Sequence, residues 1–203
     1  MPLGPLKAYD SAYFHRWYRD PRTRVTSDRA LDRKVHLALS AAEYILGRRV
    51  RNVLDVGCGE GRWYVALRRV RPSISYVGVE SSEYALETFG KSRNIRRGTF
   101  GSLRTLRLKG PFDLIICADM LQYVTNADLA PGLKEVRRLL GGVAYLEAYA
   151  REDDMVGDMD GWIYRSAATY RREFRTAGLT QCGMYCFIDA SKLDAVNALE
   201  VCG

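Results

Sequence analysis

Between Ser27 and Leu46 the apolar residues recur at helical spacing. Leu31, Val35, Leu39, Ala42 and Leu46 share one face, and Ser27 or Asp28 stands where an N-cap belongs. From Asn52 the period changes and begins to alternate. "NVLDV" is a short apolar run and "GRWYVALRRV" a short helix. "SISYVGVE" then reads as a strand, and "SSEYALETFG" as a helix capped by serine and closed by Gly90. "NIRRGTF" is a weaker strand, whereas "FDLIICAD" is apolar on both faces, as central parallel strands are. "NADLAPGLKEVRRLL" is a helix in which Pro131 belongs near the first turn or at a kink. "GVAYLEAYA" is a strand, "SAATYRREFRTA" a helix, and "LTQCGMYCFI" one last strand. The tail "ASKLDAVNALEVCG" reads as a short helix, so a seventh strand is in question.

Strands alternating with helices predict an α/β fold: a doubly wound, mostly parallel sheet of six to seven strands flanked by helices. An aromatic-rich segment precedes it, "AYDSAYFHRWYRDPRTRV". Residues 1–48 are therefore expected to form an N-terminal helical cap, and residues 49–203 the ligand-binding domain. Ligands of such sheets sit beyond the carboxyl ends of the strands, where the strand order reverses.

Composition adds limits. No run of about 18 apolar residues occurs, so no membrane partner is expected, and the start lacks a secretory pattern. Five cysteines without scaffold or metal-ligand spacing point to reduced thiols, no metal and a cytoplasmic location. The net charge of +7 is uneven: residues 1–110 hold 22 Lys/Arg against 10 Asp/Glu, and residues 111–203 hold 9 against 14. That could steer an anionic partner, but no basic, aromatic-interleaved module accompanies it, so nucleic acid is disfavoured.

The chemistry begins at "VLDVGCGEGRW", Val53 to Trp63. Three glycines at alternate positions follow the first strand and open a helix, which suits a sharp turn pressed against a ligand. A dinucleotide fingerprint would want glycine where Arg62 stands, and a P-loop would need G-K-S/T. The turn matches neither phosphate cradle.

"VLDVGCGEG", Glu80 at the end of "YVGVE" and "FDLIICADMLQYV" together resemble the class I S-adenosylmethionine (SAM) dependent methyltransferases, of a small-molecule, bacterial type. The likeness spans roughly Val53 to Leu179. It implies SAM as cofactor, with the backbone of Gly57, Cys58 and Gly59 against its amino-acid part and ribose, and Glu80, beside Ser81, on the ribose hydroxyls. It also implies that Asp55 holds its own loop through backbone N–H groups and approaches the methionine ammonium, and that Asp119 and Met120 line the sulfonium side. The family often has "G-D" after the third strand for the adenine amine. "GTFGSL" departs from this, leaving Thr99 or Ser102 to serve, with Phe100 as an apolar wall or a core residue.

The resemblance implies an acceptor pocket built by the N-terminal segment and by the insertion after the fifth strand. Tyr13, Trp17, Tyr18, Tyr123, Tyr149 and Trp162 are its candidate lining. Arg22 and Arg24 are candidates for the SAM carboxylate or an acidic acceptor. The insertion "AREDDMVGDMDGWIYRS" carries five acids between Glu152 and Asp160, negative charge that would await an amine. Methyl transfer needs positioning first, and a base only for a protonated acceptor. Base candidates are Tyr13, Tyr123, Glu147 and His15. The absence of "DPPY", "NPPY" and a Pro-Cys nucleophile after the fourth strand argues against base, glutamine and pyrimidine-carbon methylation. The expectation is O- or N-methylation of a small molecule by a monomer or homodimer. An RNA methyltransferase, or a non-catalytic SAM-binding partner protein, stands as the alternative.

Overall fold

The computed structural model describes residues 7–154 and 157–202, so residues 1–6 of the expected cap lie outside it. The strands are β1 (Asn52–Val56), β2 (Ser75–Glu80), β3 (Ile95–Arg97), β4 (Phe112–Ala118), β5 (Leu140–Glu147), β6 (Leu179–Gln181) and β7 (Cys186–Asp189). They form one sheet in the order β3-β2-β1-β4-β5-β7-β6. All pairs are parallel from β3 to β5, and β7 runs antiparallel between β5 and β6.

Alternation of side chains gives each strand two faces, and helices cover both. On one face Leu54, Ile115, Cys117 and Leu146 pack with α5 (Asn126–Leu139) and α6 (Ala167–Thr176). On the other, Val53, Leu114, Ile116 and Tyr145 pack with α2 (Asp28–Leu46) and α3 (Arg62–Val70). A short α4 (Glu83–Phe89) follows β2, with Ser82 as its N-cap. The stripe of α2 is fully used: Leu31, Val35, Leu39 and Ala42 are buried against the sheet, and Ser27 Oγ caps the first turn. The stretch expected as a cap is thus divided. Residues 28–46 belong to the sandwich, while residues 9–19 cross the carboxyl ends of the strands.

Two expectations are corrected. The aromatic N-terminal segment is α-helical only in α1 (Ser11–Phe14) and continues as a wider π-turn over His15–Arg19. "LTQCGMYCFI" is not one strand but a hairpin, β6 and β7, folded at residues 182–185 where Gly183 and Tyr185 take positive φ. That hairpin supplies the seventh strand, and the tail after it forms short 3-10 turns.

Candidate active site

The strand order reverses between β1 and β4, and the crevice this opens is where the glycine turn lies. Gly57 and Gly59 have φ of +69° and +54°, and the amide N–H groups of Gly57 and Cys58 donate to Val79 O of β2. A Cβ on Gly57 would stand 2.9 Å from Met120 Cγ, and one on Gly59 2.9 Å from the Phe14 ring. Both positions therefore demand glycine, for conformation and for space. Cys58 is buried beneath the turn against Gly78.

Glu80 is the fixed point of the crevice. Its Oε2 accepts from Gly59 N at 2.8 Å, and its Oε1 from Ser81 N and Ser82 N at 2.8 and 2.9 Å. Ser81 Oγ completes the set at 3.3 Å. Asp55 departs from expectation. Its Oδ2 accepts from Tyr76 OH at 2.7 Å, not from backbone N–H groups of its loop, and it lies under the turn without lining a cavity. Burial pushes its carboxyl up to about 7, against the opposing Tyr76 bond.

Three cavities meet at Asp119. The largest, about 310 Å³, lies over the glycine turn and holds Glu80, Ser81, Thr99, Phe100, Met120 and Tyr123 in its wall. A second, of about 70 Å³, lies toward α2 among Cys58, Thr26, Lys34, Arg62 and Glu147. A third, of about 50 Å³, is aromatic: Tyr13, Trp17, Tyr18, Tyr123, Tyr149 and Trp162 line it with Asp158. Phe14 and Tyr18 stand between the first two, lining both.

Asp119 itself has φ +56°, a left-handed conformation that costs a non-glycine residue about 1–2 kcal/mol. It accepts from Gln122 Nε2 at 2.8 Å. Burial and then the charge of Glu147 push its carboxyl up to about 6. Glu147 is buried, its Oε1 held by Lys34 Nζ at 2.5 Å and by Tyr149 OH at 3.3 Å, while its Oε2 has no partner among the described residues.

Several sequence candidates fall elsewhere. His15 is exposed and lines none of these cavities. Ser102 is spent on its neighbour: its Oγ accepts from Thr99 N at 2.8 Å, while Thr99 Oγ1 accepts from Ser102 N. Phe100 has both of the roles weighed for it, walling the cavity and packing in the core over Gly132. Arg22 pairs with Asp20 and Arg24 with Asp28, so neither reaches the crevice, and Arg62 stands there instead. The phenols of Tyr13 and Tyr123 are pushed well up, by burial first and then by neighbours including Asp158, which leaves them protonated and poor bases.

Three residues carry more than the sequence suggested. Asp128, at the start of α5, enters the large cavity; its Oδ2 accepts from Thr125 Oγ1, and its Oδ1 lies over Gly101 where a Cβ would meet it at 2.2 Å. Arg165 is buried and donates to Leu121 O, Val124 O and Asn126 Oδ1, tying the insertion to the turn after β4. Lys7 pairs with Asp158 against the tyrosines.

Residues 53–142 match a protein-family profile described as a methyltransferase domain. A search of curated sequences finds no match. Among solved structures, the chain resembles the plantazolicin methyltransferase BamL with bound SAH at TM-score 0.61 and 14% identity, covering 77% of this chain and 68% of that one. It resembles magnesium protoporphyrin IX methyltransferase ChlM from Synechocystis PCC 6803 with bound SAH at 0.60 and 15%, covering 88% and 92%. Its likeness to the dimethyltransferase RosA from Streptomyces davawensis is 0.52 at 18%, over 74% of this chain and about half of that one (51%). With residues 53–142 matching a methyltransferase domain and a seven-stranded sheet in the order β3-β2-β1-β4-β5-β7-β6, the chain has the class I methyltransferase fold.

Proposed function

We propose that the protein transfers a methyl group from SAM to an oxygen or nitrogen of a small-molecule acceptor. The observation that carries this reading is the 310 Å³ cavity floored by the Gly57–Gly59 turn and walled by Glu80. The two missing Cβ atoms let Met120 and Phe14 close onto the turn, as wall and roof of that cavity. The longest bond to Glu80, from Ser81 Oγ at 3.3 Å, is the one a ribose hydroxyl would displace. Thr99 and Phe100 would border adenine, and Asp128 supplies from α5 the carboxylate that "GTFGSL" lacks for its amino group. The smaller cavity offers Arg62 and Lys34 to the methionine carboxylate, and Asp119 and Glu147 to its ammonium.

When bound, SAM supplies a methyl group activated by a sulfonium. The chain's own task is to hold the acceptor in line and exclude water, for which Phe14, Tyr18 and Tyr123 roof the crevice. Asp119, with its carboxyl near 6 and a place in all three cavities, is the group best placed to take a proton from the acceptor. A small acceptor fits the 50 Å³ aromatic cavity beside it. Part of the basic charge of the first half is tied up internally, in Arg48–Asp113, Arg69–Asp32 and Arg71–Glu43, which supports a structural use of it over RNA binding. The five free cysteines suit a reducing compartment such as the cytoplasm.

Calorimetric titration of SAM and SAH against wild type and Glu80→Ala tests the site, and equal binding by both would reject it. Incubation of SAM with an acceptor panel, read as SAH by mass spectrometry, tests turnover. Tight SAM binding with no SAH across the panel would favour the non-catalytic alternative.

A further inference from the structure

The aromatic cavity is not neutral. Its tyrosine and tryptophan faces are joined by two carboxylates, Asp119 at the crevice end and Asp158 from the insertion. Asp158 is held in place: Oδ2 accepts from Tyr13 OH at 2.9 Å, and its backbone O from Tyr123 OH at 2.7 Å. At its outer edge the chain has placed a cation of its own. Lys7 Nζ pairs with Asp158 and donates to Asp160 O at 2.7 Å. It stands 4.2 Å from the centroid of the Tyr123 ring, and 5.2 and 5.3 Å from those of Tyr9 and Tyr13. A primary ammonium thus already rests among three π-faces and a carboxylate, the arrangement that recognises organic cations. Deeper in, Glu147 is nine-tenths buried and paired with Lys34 through Oε1, while its Oε2 has no hydrogen-bond partner among the described residues.

We propose that the acceptor is a small aliphatic amine, which enters as its ammonium ion and is held between Tyr13, Tyr123 and the carboxylates of Asp158 and Asp119. This rests on the methyltransferase reading above and names its substrate class. An anionic acceptor would meet two carboxylates, with the cation at the cavity's edge, Lys7, already paired with Asp158, and a neutral alcohol would leave both unused. Asp119 lines the aromatic cavity and the cofactor cavity alike, so the ammonium delivers its nitrogen to the place where the two join. There the ammonium gives one proton to the Asp119 carboxylate, a loss favoured by a sulfonium charge close by. The freed nitrogen lone pair forms the bond to the methyl carbon as the methyl–sulfur bond breaks, its electron pair staying on sulfur. The products are a methylated ammonium, neutral SAH and one proton, which Asp119 passes to solvent.

The test uses SAH-saturated protein and three probes of one shape: propylamine, 1-propanol and propanoate. Affinity is read by calorimetry, and SAH binding is measured on the same samples. Propylamine should bind, and the alcohol and acid at least ten-fold more weakly. Asp158→Asn should weaken propylamine ten-fold or more while SAH binding holds. Lys7→Met, which leaves Asp158 and the tyrosines in place, should strengthen propylamine several-fold by removing the resident ammonium, and it keeps the question open to refutation if Asp158→Asn does not fold. Propanol or propanoate binding as well as propylamine, or propylamine affinity unchanged in both variants, would overturn the inference while leaving the methyltransferase reading intact. Failure of wild type to bind SAH would overturn that reading, and this one with it.

Discussion

Glu80 Oε2 accepts the backbone N–H of Gly59 at 2.8 Å, so the end of β2 holds the turn that follows β1. One carboxylate therefore shapes the floor of the crevice and faces the ligand that lies on it. The two roles separate by substitution. Glu80→Gln keeps an acceptor oxygen but loses charge, and should weaken SAH ten-fold or less. Glu80→Ala leaves the Gly59, Ser81 and Ser82 amides without their acceptor, and each such loss costs about 1–3 kcal/mol when buried. We expect it to weaken SAH a hundred-fold or more in calorimetry, with a clear drop in thermal midpoint. Equal effects of Gln and Ala would mean that charge alone matters.

Gly59 and Gly47 share a left-handed φ, +54° and +61°, but not surroundings. A Cβ on Gly59 meets the Phe14 ring at 2.9 Å, whereas nothing lies within 4 Å of one on Gly47. Gly47→Ala should lose only the backbone term, about 1–2 kcal/mol in denaturant unfolding. Gly59→Ala should lose that and also displace Phe14 from the roof, so SAH affinity falls in it alone. Matching SAH affinities in the two variants would show that Phe14 does not close the cofactor cavity.

What the chain made readable in advance was local. The stripe of α2, the glycine turn, the two-faced β4 and Glu80 at its strand end are all set by residues within a few positions of one another. The hairpin at residues 182–185 was missed because a single glycine, Gly183, marks it inside an otherwise apolar run. The partners of Asp55, Asp158 and Arg165 were missed for another reason. Tyr76 reaches Asp55 across neighbouring strands, Lys7 reaches Asp158 across most of the chain, and Arg165 grips carbonyls about forty positions upstream. No periodicity encodes such meetings. Asp128 was hidden in the same way: in sequence it is an acid in the first turn of a helix, and only the approach of Gly101 brings it to the crevice.

Arg165 tests how the insertion is held. Arg165 is 6% exposed, and its hydrogen-bond partners among the described residues are two carbonyls and an asparagine, with no carboxylate among them. Arg165→Met removes a charged donor from three acceptors, and a loss of about 3 kcal/mol is expected in denaturant unfolding. Ile163 N also donates to Gln122 O, so the segment should loosen rather than detach. Limited proteolysis should cut the variant within residues 151–165 faster than wild type. Cutting at the wild-type rate would show that the backbone contacts suffice.

The buried carboxyl of Asp55 makes stability fall as pH rises. Its folded pKa, about 7, lies above the ordinary value of 3.8, so the native state holds a proton that the unfolded state releases. Stability tied to that proton is complete below pH 4 and lost as pH climbs to 7. Asp55→Asn can still accept from Tyr76 OH and has no charge to bury. The stability of wild type minus that of Asp55→Asn should decline between pH 4 and 7 by an amount of the order of 4 kcal/mol and flatten above. A difference that rises over this window would place the folded pKa below 3.8.

Asp119 should set the acid side of activity. Its carboxyl, raised to about 6 by burial and by Glu147, with Asp158 raising it further and Lys34 and the Gln122 bond opposing, must lose its proton before it can take one from the acceptor. In the free enzyme kcat/KM should therefore climb with pH through about 6. With SAM bound, a sulfonium nearby favours the carboxylate, so the corresponding limb in kcat should lie lower. Asp119→Asn should remove the limb and reduce kcat by about 10²–10⁴-fold, the usual contribution of a positioned base. Thermal stability serves as the control, since asparagine still accepts from Gln122 Nε2. If kcat fell but kept the same acid limb, Asp119 would not be the base.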